Sequence, residues 1–273
     1  MKKILCPVDF SDVSRNALLY ALQLADTWDT QVDLIHIYHL EAREAASVPY
    51  HEVDELLEAK KAEVDRYFRD FTAGLKTDRI GRLLKAYGIF IGLEISDLTR
   101  DGAYSLVVMG THGERNSLEK FLGSVSTDLM TRSHCPVMAI PAGAVYQSVE
   151  AIAYAVAEEA MDWSKGMDTG LEDLLGFTKS SGAKLHVVHV VKETGTERDV
   201  ELRVEDYPIS DATYAVVSDA SVLEGLDNYI EENEIQVLAM YIPKRRLWER
   251  LFHRSNTKAM TFHTSIPLLV FHA

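Results

Sequence analysis

The sequence predicts an α/β fold in which two consecutive domains, residues 1–142 and 150–273, each form a doubly wound parallel sheet. Three observations support this prediction. Short apolar runs of strand length alternate with segments of helical periodicity, which is the order of a parallel sheet covered by helices on both faces. The order of these segments in the first half returns in the second half. The chain of 273 residues is also longer than a typical single domain.

The first strand is predicted at residues 3–8, an apolar run that ends at turn-forming polar residues. Ser11 is a suitable N-cap for the helix that follows, because its hydroxyl can accept a hydrogen bond from a free N–H group of the first turn. Apolar residues then recur at helical spacing: Ala17, Leu18, Ala21, Leu22, Leu24 and Ala25. The run at 32–38 predicts the second strand.

The rest of the first half continues this alternation. Residues 47–71 carry apolar side chains on one helical face among many charges, which predicts a long amphipathic helix. The run at 106–109 is apolar throughout and is typical of a strand buried on both faces. The remaining predicted elements are a strand at 82–86, a helix at 92–99, a helix at 124–132 and a strand at 137–140 that Pro141 closes.

The second half repeats this order after a linker at 141–150, and both halves end on a helix, a proline and an apolar strand. Its predicted strands lie at 151–156, 184–191, 214–217, 237–241 and 268–271, and its predicted helices lie at 161–178 and 222–232. Residues 193–210 are polar and contain Pro208. We therefore expect the second domain to lack a full counterpart of the long charged helix.

The composition argues against several classes of function. A formal net charge of -14 opposes binding to nucleic acid or anionic lipid, because such binding depends on surplus Lys and Arg. No apolar run approaches the roughly 20 residues that span a bilayer, and the first residues lack the long apolar core of a secretory signal. Cys6 and Cys135 are predicted at opposite edges of a sheet, too far apart for a disulfide. We expect a cytoplasmic protein.

A glycine motif follows the predicted strand at 106–109. Gly110 and Gly113 come directly after the strand, and Gly123 and Ser124 stand at the predicted start of the last helix. Ligands of open parallel sheets bind beyond the carboxyl ends of the strands. Glycines there let backbone N–H groups approach phosphate oxygens, and a helix N-terminus favours the same anion. By its spacing alone, the motif fits a phosphate site or a tight structural turn.

This spacing of glycines resembles the nucleotide loop of the ATP-binding universal stress proteins. Residues 4–11 resemble that family's first strand and turn, and residues 34–37 resemble its second strand. The resemblance implies a Rossmann-like fold of the nucleotide α-hydrolase type, with a five-stranded parallel sheet in each domain, usually dimeric. It also implies that ATP binds, together with Mg²⁺. The binding residues that it implies are Pro7, Val8, Asp9, Ile37, Met109, Gly110, Thr111, His112, Gly113, Gly123, Ser124, Val125 and Ser126.

The second half departs from this pattern at most of the implied positions. Matched mainly at a spacing of 130 positions, the pairs are Gly110 with Met240, Gly113 with Pro243, Gly123 with His253, Ser124 with Arg254 and, separately, Asp9 with Ala157. Met and Pro cannot give the same close backbone approach, and Pro lacks an N–H donor. We therefore expect ATP to bind in the first domain only.

Basic residues stand where a second phosphate loop would be: Lys244, Arg245, Arg246, Arg250, His253, Arg254 and Lys258. A solvated basic face, which could pair with acids of the first domain, explains them most simply. A side-chain site for an anion or a regulatory ligand is the alternative.

Motifs of several other chemistries are absent from the sequence. There is no Gly-x4-Gly-Lys-Ser/Thr loop, no Gly-x-Ser-x-Gly elbow and no histidine pair at zincin spacing. Histidines in or near strands are interpreted as structural or surface residues: His36, His39, His186 and His189. His112 lies in the predicted loop, where we expect it to orient the loop or touch the ligand rather than act as a base. The sequence thus predicts no catalytic residue and no metal ligand.

The favoured function is an ATP-binding stress-response or signalling module, in which nucleotide occupancy changes shape or partner affinity. A slow ATPase or autophosphorylating enzyme is one alternative, although the sequence supplies no dedicated carboxylate base or arginine finger beside the loop. A nucleotide-independent scaffold is the other. We expect the final strands at 137–140 and 268–271 to cover each other within the chain, as an internal pseudo-dimer. Further pairing of two chains as a homodimer is not specified by the sequence.

Overall fold

In the computed structural model, residues 2–40, 49–111, 126, 128–130, 132–156, 169–192, 209, 211–242 and 265–272 are described. A single β-sheet runs through them. Its strands are β1 (Lys3–Pro7), β2 (Val32–Tyr38), β3 (Ile80–Tyr87), β4 (Tyr104–Thr111), β5 (Val137–Pro141), β6 (Ala151–Ala155), β7 (Lys184–Lys192), β8 (Ala212–Asp219), β9 (Val237–Ile242) and β10 (Leu268–His272). The helices are α1 (Asp12–Thr27), α2 (Val53–Thr72), α3 (Ile91–Thr99), α4 (Thr169–Ser181) and α5 (Val222–Glu232).

The strand order across these ranges is β3-β2-β1-β4-β5-β10-β9-β6-β7-β8. Neighbouring strands are parallel, except that β5 and β10 are antiparallel. Outwards from that pair, the strands of the first half follow in the same order as those of the second half. The predicted α/β fold, a mostly parallel sheet flanked by helices, is confirmed.

Strands β5 and β10 join the two halves into one sheet. Ala139 lies opposite Leu268, and Met138 lies opposite Leu269. All four of these residues are fully buried. The other sides of β5 and β10 pair with β4 and β9, so neither strand presents a free edge. The structure thus contains the predicted pairing of the two final strands.

Helices cover both faces of the sheet. Helices α1, α2 and α4 pack on one face, where the buried side chains include Leu18 and Phe68. Helices α3 and α5 pack on the other face with the helical residues 126, 128–130 and 132, and the buried side chains there include Ile95 and Leu226. Within the described ranges, no helix is both long enough and apolar enough to cross a membrane.

Some boundaries differ from the predicted ones. The helix predicted at 47–71 begins with a 3₁₀ turn, Tyr50–Glu52, before α2. Pro141 is the last residue of β5 rather than the residue after it, and its carbonyl oxygen accepts from the Ala144 N–H group at 3.0 Å. Proline fits there because the strand end needs this acceptor and not an N–H donor. The start of the helix predicted at 161–178 and most of the polar segment 193–210 lie outside the described residues.

Candidate functional site

A cleft opens at the carboxyl ends of β1, β2 and β4, where ligands of parallel sheets bind. Its volume is about 540 Å³, including the space open to solvent at its mouth. The lining residues are Pro7, Val8, Asp9, Val13, Ser14, Ile35, His36, Ile37, Ile91, Ile95, Met109 and Gly110.

Several residues implied by the family resemblance meet in this cleft: Pro7, Val8, Asp9, Ile37, Met109 and Gly110. They come from three strand ends that are far apart in the sequence but adjacent in the sheet. Thr111 is fully buried, and its hydroxyl donates to the carbonyl oxygen of Ile140 on β5, so its side chain is not part of the lining. Ser126 is helical and buried, and it is also not among the described lining residues.

The other implied residues, His112, Gly113, Gly123, Ser124 and Val125, lie outside the described residues, as does the basic segment at 244–258.

The turn between β1 and α1 presents Asp9 at the cleft. The carboxylate oxygen Oδ1 of Asp9 accepts hydrogen bonds from the Ser11 N–H group at 3.0 Å and from its hydroxyl at 2.5 Å. Phe10 between them has φ of 66°, a left-handed conformation that costs a bulky residue about 1–2 kcal/mol. Aromatic contacts offset this cost, because the Phe10 ring lies 5.2 Å from the Phe68 ring and 4.5 Å from the His36 ring.

The first turn of α1 forms a second wall of the cleft. The predicted cap is confirmed, because the Ser11 hydroxyl accepts from the Ser14 N–H group at 3.2 Å. Gly110 of β4 lies directly under this turn. A Cβ atom at position 110 would be 2.7 Å from the Val13 carbonyl oxygen, which is closer than real Cβ contacts. Gly110 is thus needed for the close approach of strand and helix, and any larger residue would displace the cleft wall.

Sequence reasoning missed part of the lining, namely Val13, Ser14, Ile35, His36, Ile91 and Ile95. A usable signal existed for two of them. Ile35 and His36 precede Ile37 at the end of the second predicted strand, so the edge that includes Ile37 includes them as well. Ile91 and Ile95 come from the first turns of α3, which packs on the same face of the sheet as Met109, and only this packing brings them to the cleft.

The cleft carries little charge in the described part of the chain. Asp9 is acidic, no described lining residue is Lys or Arg, and the remaining lining is mostly aliphatic. Burial lowers the pKa of His36, and this effect outweighs the raising effects of the Val8 hydrogen bond and of Asp9. His36 is therefore neutral at pH 7. Among the described residues, no three His, Cys, Asp or Glu side chains form a group that could hold a metal ion.

The four histidines in or near strands are structural or surface residues, as the sequence predicted. Nδ1 of His36 lies 2.8 Å from the Val8 carbonyl oxygen, and Nδ1 of His189 lies 2.9 Å from the Val156 carbonyl oxygen. His186 contacts the Tyr229 hydroxyl at 2.9 Å, and His39 is exposed. Through these contacts, His36, His186 and His189 hold neighbouring segments in place.

Both thiols of the described chain are buried and free. Burial raises the pKa of the Cys6 thiol to about 12 and that of the Cys135 thiol to about 11. Both are therefore protonated at neutral pH and lack the thiolate that nucleophilic or redox chemistry needs.

The register of the sheet corrects one comparison between the halves. On β1, Ile4 pairs with Leu106, and on the equivalent strand β6, Ile152 pairs with Val237. Four residues further along β4 and β9 stand Gly110 and Tyr241, so the counterpart of Gly110 is Tyr241 and not Met240. The sequence comparison was out of register by one residue. Such a shift is hard to recognise from residue types alone, but it assigns each side chain of a strand to the opposite face of the sheet.

Tyr241 changes the shape of the second half at this position. A Cβ atom on Gly170 of α4 would be 2.6 Å from Cδ2 of Tyr241, so the tyrosine ring lies directly against the helix backbone. In the first half the glycine is on the strand and the larger residue, Val13, is on the helix. The second half therefore has an aromatic ring where the first half has the close approach of Gly110 and α1.

Comparison with known proteins identifies the family. Residues 1–141 match the universal stress protein family. Universal stress protein MJ0531 of Methanocaldococcus jannaschii is 27% identical over 150 residues, which cover 51% of this chain and 81% of that protein. YxiE of Bacillus subtilis, also a universal stress protein, is 27% identical over 148 residues, covering 50% of this chain and 97% of that protein.

Solved structures share the fold over nearly the whole chain. A universal stress protein from Archaeoglobus fulgidus aligns over 99% of this chain and 96% of its own, with a TM-score of 0.62 and 20% identity. Protein PA1789 of Pseudomonas aeruginosa aligns over 100% of this chain and 92% of its own, with a TM-score of 0.51 and 14% identity. The family match extends over more than half of the residues, and the chain therefore belongs to the universal stress protein family.

Proposed function

We propose that the first half of this chain binds ATP in the cleft at the ends of β1, β2 and β4, and that the protein acts as a nucleotide-dependent stress-response or signalling module. The observation that carries the proposal is the convergence of the implied residues on one cleft. Pro7 to Asp9, Ile37, and Met109 with Gly110 come from three separate strands and meet at the edge where parallel sheets bind ligands.

The chemistry of the cleft suits the nucleoside end of ATP. Ile37, Ile91, Ile95 and Met109 supply apolar surface for a base, and the Asp9 carboxylate can accept a hydrogen bond from a hydroxyl or amine of the ligand. The same carboxylate would repel phosphates. We therefore propose that the phosphates extend from Gly110 towards the glycine motif, whose residues Gly113 and Gly123 to Ser126 would hold them. Mg²⁺ bound with ATP would offset the phosphate charge.

We propose one ATP site per chain. In the second half, Tyr241 replaces Gly110 and lies against Gly170, where the ring fills the space beside the helix backbone. Ala157 replaces Asp9, which removes the acceptor at the nucleoside end. Both changes disfavour an equivalent ATP-binding cleft in the second half. The basic residues at 244–258 remain either a solvated face or a separate anion site.

We also propose that the chain is an internal dimer of two domains, residues 1–142 and 150–273. Antiparallel pairing of β5 with β10 would then replace a contact between two separate chains. The shared sheet would transmit the effect of nucleotide binding from one half to the other. In this way nucleotide occupancy would change the affinity for a partner.

An enzymatic role is the second candidate, and we rank it lower. Asp9 already accepts two hydrogen bonds from Ser11, and Nδ1 of His36 is held by the Val8 carbonyl oxygen. A group that activates water is not evident among the described lining residues. We therefore expect hydrolysis slower than the roughly 1–10³ per second of metabolic enzymes.

Isothermal titration calorimetry with Mg-ATP tests the proposal. We expect one site per chain, and we expect Gly113→Val to abolish binding because a side chain at this position would exclude the phosphates. Gly143→Val is the matched control, since a Cβ atom on Gly143 has no neighbour within 4 Å. Two equal sites, or unchanged binding by Gly113→Val, would contradict the proposal. Phosphate release above about one per second that Gly113→Val removes would establish the enzyme instead.

A further inference from the structure

The imidazole of His36 connects β2 to both sides of the turn that carries Asp9. Its Nδ1 atom lies 2.8 Å from the carbonyl oxygen of Val8, the residue before Asp9. A carbonyl oxygen can only accept, so Nδ1 carries the proton in this contact. The ring of Phe10, the residue after Asp9, lies 4.5 Å from the imidazole ring. His36 therefore holds the residues that flank Asp9 without bonding to its carboxylate.

This turn needs support from outside itself. Phe10 adopts a left-handed backbone, with φ of 66°, which bulky residues rarely adopt unless surrounding contacts fix it. The aromatic cluster of Tyr67, Phe68 and Phe71 holds one part of the Phe10 ring, and His36 holds another. Within the turn that these contacts hold, the two hydrogen bonds from Ser11 orient the Asp9 carboxylate at the cleft.

We propose that His36 is a positioning residue for ligand binding, because it fixes the turn that presents Asp9 to the nucleoside in the cleft. The inference rests on the proposed ATP site. It assigns to His36 an effect on affinity that acts through Asp9, in addition to its contribution to the fold.

The second half provides an internal control for this proposal. His189 makes the same contact with Val156, at 2.9 Å, as His36 makes with Val8. The residue after Val156 is Ala157, so the same hydrogen bond there holds no acid in place. Removing the histidine should therefore disturb the two halves alike in structure but affect ligand binding in the first half alone.

The test compares His36→Leu, His36→Asn and His189→Leu by calorimetry with Mg-ATP. We expect His36→Leu to weaken binding about tenfold, and we expect His189→Leu to leave it within about twofold of the wild type. His36→Asn should restore most of the affinity, because the amide N–H group of Asn can donate from near the position of Nδ1. Combined with Asp9→Ala, His36→Leu should cause little further loss, since both changes act on one group.

A ligand-free measurement separates this proposal from the proposed function. The Ser11 N–H group donates to Asp9, so its hydrogen exchange, measured by NMR, reports the turn directly. We expect exchange at Ser11 to accelerate in His36→Leu and not in His189→Leu, with exchange at buried Leu34 unchanged in both. If wild type binds no ATP, the proposed function fails, and Ser11 exchange still decides whether His36 holds the turn. Unchanged Ser11 exchange, or equal loss of affinity in the two leucine variants, would overturn the proposal.

Discussion

At the scale of single residues, Asp33 is a buried acid outside the cleft. It is the second residue of β2, has no exposed surface and accepts four hydrogen bonds. The donors are Lys3 Nζ at 3.0 Å, the Arg82 N–H group at 2.8 Å, Arg82 Nε at 2.7 Å and the Tyr104 hydroxyl at 3.0 Å. Burial by itself would raise the pKa of Asp33, but these donors hold it below its ordinary value. The network ties β1, β3 and β4 to β2.

Replacement of Asp33 should therefore destabilise the fold strongly. We expect Asp33→Ala to lower the free energy of unfolding by about 2–4 kcal/mol, because it leaves the buried Tyr104 hydroxyl and the Arg82 N–H group without their acceptor. Asp26→Ala is the matched control. Its partner Arg79 is held at 2.8 Å near the surface, and the loss should be below about 1 kcal/mol. Urea denaturation measures both, and equal losses would contradict the assignment.

The lowered pKa of Asp33 also predicts the pH dependence of this difference. A carboxyl group whose pKa is lower in the folded state stabilises the fold above its unfolded pKa of about 3.9 and loses this effect as the pH falls through the folded value. The stability gap between wild type and Asp33→Ala should therefore be full at neutral pH and should shrink below about pH 4. If the difference in stability between wild type and Asp33→Ala stays constant until the protein unfolds in acid, the result would argue against the charged network.

At the scale of secondary-structure elements, the same turn motif precedes a helix in each half. An Asp-x-Ser turn precedes α1 and α5, as Asp9 to Ser11 and Asp219 to Ser221. Each aspartate accepts from the serine N–H group, and each serine hydroxyl accepts from the N–H group three residues later, at 3.2 Å in α1 and 3.1 Å in α5. The two turns follow different strands, β1 and β8, so only the first adjoins the cleft.

We expect Ser11→Ala and Ser221→Ala each to lower the free energy of unfolding by about 1 kcal/mol, because each removes an N-cap. Only Ser11→Ala should also weaken ATP binding, since Ser11 directs the Asp9 carboxylate. Thermal unfolding and calorimetry would separate the two effects, with Ser148→Ala in the exposed linker as the control. An equal effect of both caps on ATP affinity would contradict this assignment.

At the scale of the whole molecule, the two halves share one sheet and also pack through their helices. The rings of Trp28, after α1, and Phe177, in α4, lie 5.2 Å apart in an edge-to-face arrangement. The linker between the halves runs along α1, where Tyr146 contacts Tyr20 at a ring distance of 5.0 Å. Contacts of this kind favour an association within one chain, because the linker already holds the partners together.

A designed disulfide tests whether β5 and β10 pair within one chain. Ala139 and Leu268 face each other in antiparallel strands, where the Cα separation of about 4.5–5.5 Å suits a disulfide. Ala139→Cys combined with Leu268→Cys should therefore oxidise to a crosslinked monomer. Mass spectrometry should show the loss of two hydrogen atoms, and a non-reducing gel should show no dimer. Ala139→Cys alone should remain a thiol. Crosslinked dimers as the main product would show that the strands pair between chains.

Much of the fold could be predicted because it is encoded locally. The apolar run at 106–109 is the buried centre of β4, the periodicity after Ser11 is α1, and the Ser11 cap has the expected hydrogen bond. These signals depend on residues a few positions apart, so one sequence is enough to recognise them. Two residues at strand ends were expected at the site for different reasons. Gly110 was expected there because ligands of parallel sheets bind beyond the carboxyl ends of the strands, and Asp9 because of the family resemblance.

The sequence by itself thus determined the order of the elements and the parallel character of most of the sheet. Only the tertiary structure decided that Tyr241 replaces Gly110, that α3 supplies Ile91 and Ile95 to the cleft, and that buried Asp33 has donors from three other strands. The physical reason is the same in each case. Strand register and helix packing are set by contacts between residues far apart in the chain, and no local period or spacing records which of them meet.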